Sequence, residues 1–158
     1  MALRPVASVR LGPAQASDAR ELASLSRRYI ESGLAWRWRA AAVLQQIREE
    51  DSCVVVARDS ECLVGFAAMS FDFEGGDAHL LLLAVVPSYR RCGLAGDLLE
   101  WLEVMARRGG IERIRVEVRV AAAPARHFYR SRGFKTVSRL PGYYQQREDA
   151  LQLQKLFV

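Results

Sequence analysis

Apolar residues recur along this chain with two periods, and the places where one period yields to the other mark out its elements. Val6–Leu11 predicts a short first strand. Leu22, Leu25 and Tyr29 then recur at helical spacing behind Ser17 or Asp18, with Glu21 three residues after Asp18 as in a capping box. Gly33, inside "ESGLAWRWR", breaks that helix, and Val43, Leu44 and Ile47 predict a second one over Ala40–Glu49. Cys53–Ala57 ("CVVVA") is a strand, Asp59–Glu61 a turn, and Cys62–Phe73 its antiparallel partner. "EGGD" makes another turn, after which Ala78–Val86 is an apolar run expected as the central strand. Leu94, Leu98, Leu102 and Met105 share one helical face, and Gly109-Gly110 ends that helix. "RIRVEVRV" (Arg113–Val120) alternates as a strand, with Ile114, Val116, Val118 and Val120 on one face. Pro124 suits the first turn of a helix that runs to Gly133. Phe134–Leu140 and Ala150–Phe157 are closing strands around the loop "PGYYQQRED".

The order is β, α, α, β, β, β, α, β, α, β, β. Ala78–Val86, the helix after it and Arg113–Val120 form a crossover unit, so those two strands should run parallel while the others pair as hairpins. The expected architecture is a mixed α/β sheet with helices on both faces. With 158 residues and no linker-like segment, residues 1–158 read as one domain. A chain of that length buries roughly 68–70% of its unfolded surface, enough for a core without staples.

Composition narrows the function classes. The longest apolar run, Leu80 to Val86, is too short for a bilayer, and "MALRPVASVR" lacks a signal peptide's apolar centre, so a cytoplasmic protein without membrane contact is expected. Cys53, Cys62 and Cys92 have no metal-ligand spacing; no metal is expected, and Cys53 and Cys62 read as core residues. The net charge of +5, carried almost wholly by arginine, suits an acidic partner or a phosphate-bearing ligand. No aromatic stacking motif or recognition helix supports nucleic acid as that partner.

The chemistry concentrates where the central strand hands over to a helix, at "YRRCGLAGDLL". A helix start exposes unpartnered N–H groups and partial positive charge, which together bind phosphate. Gly93, Ala95 and Gly96 leave the backbone approachable, and Arg90 and Arg91 add charge. There is no Gly-Lys-Ser/Thr, which excludes a Walker loop, and the spacing does not make a dinucleotide fingerprint.

Arg90-Arg-Cys-Gly93-Leu-Ala95 instead resembles the [Gln/Arg]-x-x-Gly-x-[Gly/Ala] acetyl-coenzyme A motif of the GNAT superfamily of N-acetyltransferases. "EVRVAAAPARHFYRSRGF" is similar to the family's strand-helix segment, and "PGYYQQREDALQLQKL" to the branch that acetylates protein N-termini, such as a ribosomal-protein alanine. The resemblance implies a mostly antiparallel sheet with one parallel strand pair. It implies direct attack of an amine on acetyl-CoA, most simply the α-amino group of a protein or peptide. It places the pyrophosphate on Arg91, Cys92, Gly93, Leu94, Ala95 and Gly96, with Arg90 meeting the 3′-phosphate or bracing the loop. It lays the pantetheine along the backbone of Leu83, Ala84 and Val85, where one oxyanion donor is worth about 3–4 kcal/mol. Tyr129 would protonate the departing thiolate, and Glu117 would serve as general base, unless, flanked by Arg115 and Arg119 and alternating with valines, it forms a cross-strand ion pair on the outer face. His79, Tyr143, Tyr144 and Trp36, with Trp38, would line the acceptor site. Cys92 is not needed as a nucleophile. Ala121-Ala122 stand where the family usually has Ser-Asn, removing one cofactor contact, and Leu82 replaces a residue that is polar in many relatives. A small-molecule amine and a non-catalytic acyl-CoA-binding module are the alternatives. A monomer or weak homodimer is expected.

Overall fold

The computed structural model describes residues 8–157. The elements in chain order are β1 (Val9–Pro13), α1 (Ala19–Tyr29), α2 (Ala40–Arg48), β2 (Ser52–Asp59), β3 (Cys62–Asp72), β4 (Asp77–Val85), α3 (Leu94–Arg108), β5 (Arg113–Arg119), α4 (Ala123–Ser131), β6 (Lys135–Tyr144) and β7 (Glu148–Leu156). They build one seven-stranded sheet in the order β1-β2-β3-β4-β5-β7-β6. The β4–β5 pair is parallel, as the crossover through α3 requires, and every other pair is antiparallel. Val6 and Ala7, the start of the predicted first strand, lie outside the described residues. No helix among the described residues is long and apolar enough to cross a membrane.

Two cores form, one on each face. On one side Leu94, Leu98, Leu99, Leu102 and Ala106 of α3 meet Ala67, Met69, Leu80, Ile114 and Val116 of the sheet, and α4 adds Tyr129. Each fully buried leucine there contributes about 1.5–3 kcal/mol. On the other side Leu22 and Ala23 of α1 and Val43 of α2 cover Val54, Val56, Phe66, Leu82 and Ala84.

The hydrophobic pattern misassigned a few details. Met105 is 42% exposed, and Ala106 takes its place on the buried face of α3. Cys62 is exposed at the start of β3, whereas Cys53 is buried as expected. Asp18 does not cap α1 with Glu21; its carboxylate reaches back to the Gln15 N–H (2.8 Å) and pairs with Arg58 (2.5 Å). The stretch read as the loop "PGYYQQRED" is mostly strand, because β6 continues to Tyr144 and β7 already begins at Glu148.

Candidate functional site

The site originates in an irregularity of β4. Ala68 of β3 pairs with Leu82 and Met69 with Leu80, so Leu81 is an extra residue, a β-bulge. The bulge switches faces: Ala78 and Leu80 belong to the α3 core, whereas Leu82 and Ala84 belong to the α1–α2 core. It also turns β4 from its parallel neighbour. Pairing with β5 covers only Asp77–Leu80 against Arg113–Val116, although β4 runs on to Val85 and β5 to Arg119. The facing edges beyond Leu80 and Val116 diverge into a V.

Two adjoining hollows open from this V. One, of about 310 Å³, is lined by Leu83, Ala122, Ala125 and Tyr129. The other, of about 370 Å³, is lined by Leu34, Arg37, Trp38, His79, Tyr143 and Gln145. Leu80–Leu82, Glu117 and Tyr144 border both. A roomier hollow of about 560 Å³ beside α2, around Leu44 and Arg48, brings together none of the residues singled out by sequence.

β4 leads directly into an irregular turn that opens α3. After the 3-10 turn Pro87–Tyr89, Arg91 (φ 61°) and Gly93 (φ 84°) take left-handed conformations and start α3. The helical ladder begins with the Asp97 N–H donating to the Gly93 carbonyl (3.0 Å). The N–H groups of residues 91–96 have no main-chain acceptor among the described residues. No atom lies within 4 Å of a Cβ built on Gly93, so the turn is open on its outer side. Such a run of donors fits a diphosphate. Arg90 braces this turn: its Nε donates to the Val85 carbonyl (2.9 Å) and its guanidinium lies over Tyr29. The Cys92 thiol is engaged with the Tyr89 carbonyl (2.6 Å). Arg132 emerges as a cation that sequence reasoning missed. Its guanidinium lies so close to Gly96 that a Cβ there would sit 1.7 Å from Nη2.

Tyr129 is buried, edge-on to Phe128 and Phe134, and borders the first hollow. Burial, reinforced by neighbouring Tyr144, pushes its phenol well above the ordinary value, so it is protonated at neutral pH. Leu83 borders the same hollow, whereas the side chains of Ala84 and Val85 are buried and only their backbone can serve a ligand.

Glu117 does make a cross-strand pair, with a histidine of β4, and bonds to neither Arg115 nor Arg119 of its own strand. His79 Nε2 meets its Oε2 at 2.5 Å, and Gln152 Nε2 donates to its Oε1 at 3.3 Å. Burial acts to raise the carboxyl pKa, but the His79 hydrogen bond and charge, with help from Gln152 and Arg115, outweigh it, and the net shift is downward. His79 and Glu117 therefore act as a coupled pair at the junction of the two hollows.

The second hollow is framed by two segments, α1–α2 and β6–β7, whose tryptophans and tyrosines the resemblance sets at the acceptor site. Glu31, buried after α1, accepts from the N–H groups of Arg37 (2.7 Å) and Trp38 (3.1 Å) and from Ser26 Oγ (2.9 Å). It moulds the α1–α2 segment from within. Opposite, in the β6–β7 turn, the Gln145 side chain accepts from the Ala35 N–H (2.9 Å) and donates to the Ala35 carbonyl (3.0 Å). Tyr143 and Tyr144 stand edge-on beneath this clamp. Burial, with Glu117 or the partner tyrosine adding to it, raises both phenols. Trp36 borders neither hollow. Its indole N–H donates to the Ala23 carbonyl (3.2 Å), and Arg27 and Arg39 flank the ring at 5.1 and 4.8 Å. It anchors the segment, and Trp38 is the tryptophan on the site.

The comparisons agree with this geometry. Residues 18–134 match the model of the Acetyltransferase (GNAT) family. An N-alpha-acetyltransferase of Saccharolobus solfataricus is 42% identical over 73 residues, 46% of this chain and 44% of that protein. The chain thus matches less than half the length of that curated relative. The fold is that of the ribosomal-protein-S18-alanine N-acetyltransferase of Escherichia coli (TM-score 0.80, 24% identity, 94% and 93% of the two chains). It is equally that of the PaiA N-acetyltransferase of Thermoplasma acidophilum, solved with coenzyme A (TM-score 0.81, 19% identity, 95% and 99%). The family match spans most of the chain, and the strand splay and open helix start lie within it: this chain belongs to the GNAT acetyltransferase family.

Proposed function

We propose that the protein transfers an acetyl group from acetyl-CoA to the α-amino group of a protein or peptide, by direct attack within a ternary complex. The observation that carries this reading is the pair of hollows meeting at one point. The free N–H groups of residues 91–96 and Arg91 would hold the diphosphate, and the backbone of Leu83–Val85 the pantetheine arm. The thioester supplies the activated acetyl group. Tyr129 borders the first hollow and keeps its proton until a thiolate needs it. The amine would enter from the second hollow, under the Ala35–Gln145 clamp. With donor and acceptor meeting at the V, no covalent enzyme intermediate is required.

Glu117 and His79 would receive the amine's proton. An α-amino group, with a pKa near 8, deprotonates readily, whereas a lysine side chain near 10.4 costs roughly 3 kcal/mol more. A weakly basic carboxylate paired with histidine is suited to the former.

Initial rates on peptides, polyamines and aminoglycosides test the assignment. Turnover on free peptide N-termini is the expected result; turnover confined to small-molecule amines overturns it. Tyr129→Phe should lower kcat about 10²-fold with little change in the KM for acetyl-CoA. Tight cofactor binding without turnover, unaffected by that substitution, would mark a binding module instead.

A further inference from the structure

The hydrogen-bonding groups of the acceptor hollow are unevenly spent. Its two carboxylates are used internally. Both oxygens of Glu31 accept from Ser26 and the α1–α2 backbone, and both oxygens of Glu117 accept from His79 and Gln152. On the flanking strands, Asp77 of β4 pairs with Arg113 of β5 and Glu148 of β7 with Arg119 of β5. Two cations have no such partner. Arg37 borders the hollow from the α1–α2 segment, and Arg115 lies beside His79 across the parallel ladder, two residues before Glu117 on β5. Both are exposed, and among the described residues neither guanidinium forms a salt bridge or side-chain hydrogen bond. The field of each reaches Tyr143, where both oppose the upward push of burial and Glu117, and that of Arg115 also acts on Glu117 and Asp77.

A hollow whose carboxylates are spent, with one unbonded arginine on its wall and a second beside its histidine, is complementary to an anion. We infer that the acceptor carries a carboxylate close to its reactive amine, in the form of an acidic side chain at the second or third position of the peptide. The inference rests on the peptide reading above and specifies it. Arg37 stands on the wall of the hollow and Arg115 beside His79 at its edge, so a carboxylate one or two residues behind the amine meets one or both. The same field opposes polycations, so polyamines and aminoglycosides are poor acceptors. Because the guanidiniums are exposed, the preference is modest and sensitive to salt.

Three peptides of otherwise identical sequence, beginning Ala-Glu, Ala-Gln and Ala-Lys, decide the matter in kcat/KM at low ionic strength. The expected order is Glu, Gln, Lys, with about tenfold between the extremes. That ratio should fall toward unity in about 0.5 M salt and in the double variant Arg37→Gln/Arg115→Gln. Arg115→Glu should shift it toward the lysine peptide. A thermal melt checks that these exposed substitutions leave the fold intact, and the wild-type series is decisive without them. A flat or inverted series on peptides that are acetylated overturns the inference while the peptide function stands. Turnover of free glutamate but not of peptides, with the same arginine dependence, keeps the carboxylate and overturns the peptide reading. Turnover of polyamines alone overturns both.

Discussion

At the scale of single residues, the site depends on side chains held in protonation states by their surroundings. Glu117 has a native pKa below its ordinary value. Its interaction with His79 therefore stabilises the fold fully above the unfolded carboxyl pKa, near 4.3, and that contribution is lost as pH falls through the lower native value. Denaturant melts between about pH 6 and pH 3 should show wild type losing stability over this window. Glu117→Gln should show a shallower loss and, at pH 7, a drop in kcat exceeding any change in cofactor KM. Equal slopes for the two proteins would mean that the pair is not formed. Gly96 makes a second residue-scale case. Alanine there would drive its Cβ into the Arg132 guanidinium, the free end of a long side chain that can swing aside. Alanine also loses less conformational freedom than glycine on entering a helix, by up to about 0.5–1 kcal/mol in an interior and less in this first turn. Gly96→Ala should therefore keep or raise Tm while weakening coenzyme A binding several-fold, with Arg132 displaced from the cradle. Calorimetric titration alongside a melt checks both halves.

At the scale of elements, the clamp between Gln145 and Ala35 ties the β6–β7 turn to the α1–α2 segment through two hydrogen bonds. Each is worth roughly 0.5–1.5 kcal/mol. Gln145→Ala should raise the acceptor KM, leave acetyl-CoA binding unchanged and speed amide exchange over residues 31–38. Unchanged exchange there would show that Glu31 holds the segment alone. This clamp was not legible in the sequence: the resemblance pointed to Tyr143 and Tyr144, and nothing singled out Gln145 among the polar residues after them. Its meaning depends on a contact 110 residues distant. The open helix start was legible, because a strand, a proline and a glycine-spaced turn are local features, and so was the end of α3 at Gly109-Gly110. The bulge at Leu81 was hidden by four consecutive leucines, since an apolar run looks the same whichever face each member takes. Sequence spacing likewise set Glu117 beside Arg115 and Arg119, and gave no sign that His79, 38 positions earlier, is its partner.

At the scale of the whole molecule, the sheet is nearly two sheets. β1–β4 and β5–β7 are joined by only four residue pairs of parallel ladder, between Asp77–Leu80 and Arg113–Val116. The rest of the junction among the described residues includes the His79–Glu117 and Asp77–Arg113 pairs, the N–H groups of Glu112 and Arg113 donating to the Gly76 carbonyl, Val116, Val118, Phe134 and Leu153 of the second half meeting the α3 leucines, and Lys155 of β7 pairing with Glu103 of α3 (2.8 Å). A ligand lying in the V bridges both halves, taking backbone contacts from β4 and side-chain contacts from β5 and α4. It binds the folded chain alone, so mass action sets its effect: about 2.7 kcal/mol at 100 times Kd. For a domain of this size each kcal/mol moves Tm by roughly 2–4 °C, so saturating coenzyme A should raise Tm by about 5–10 °C. The location of the gain matters more than its size. Amide protection should rise in Leu81–Val85, in Glu117–Arg119 and at residues 91–96, and stay level in β1 and β2. A rise in Tm with protection spread evenly over the sheet would mean that the ligand binds elsewhere and that the V is not its seat.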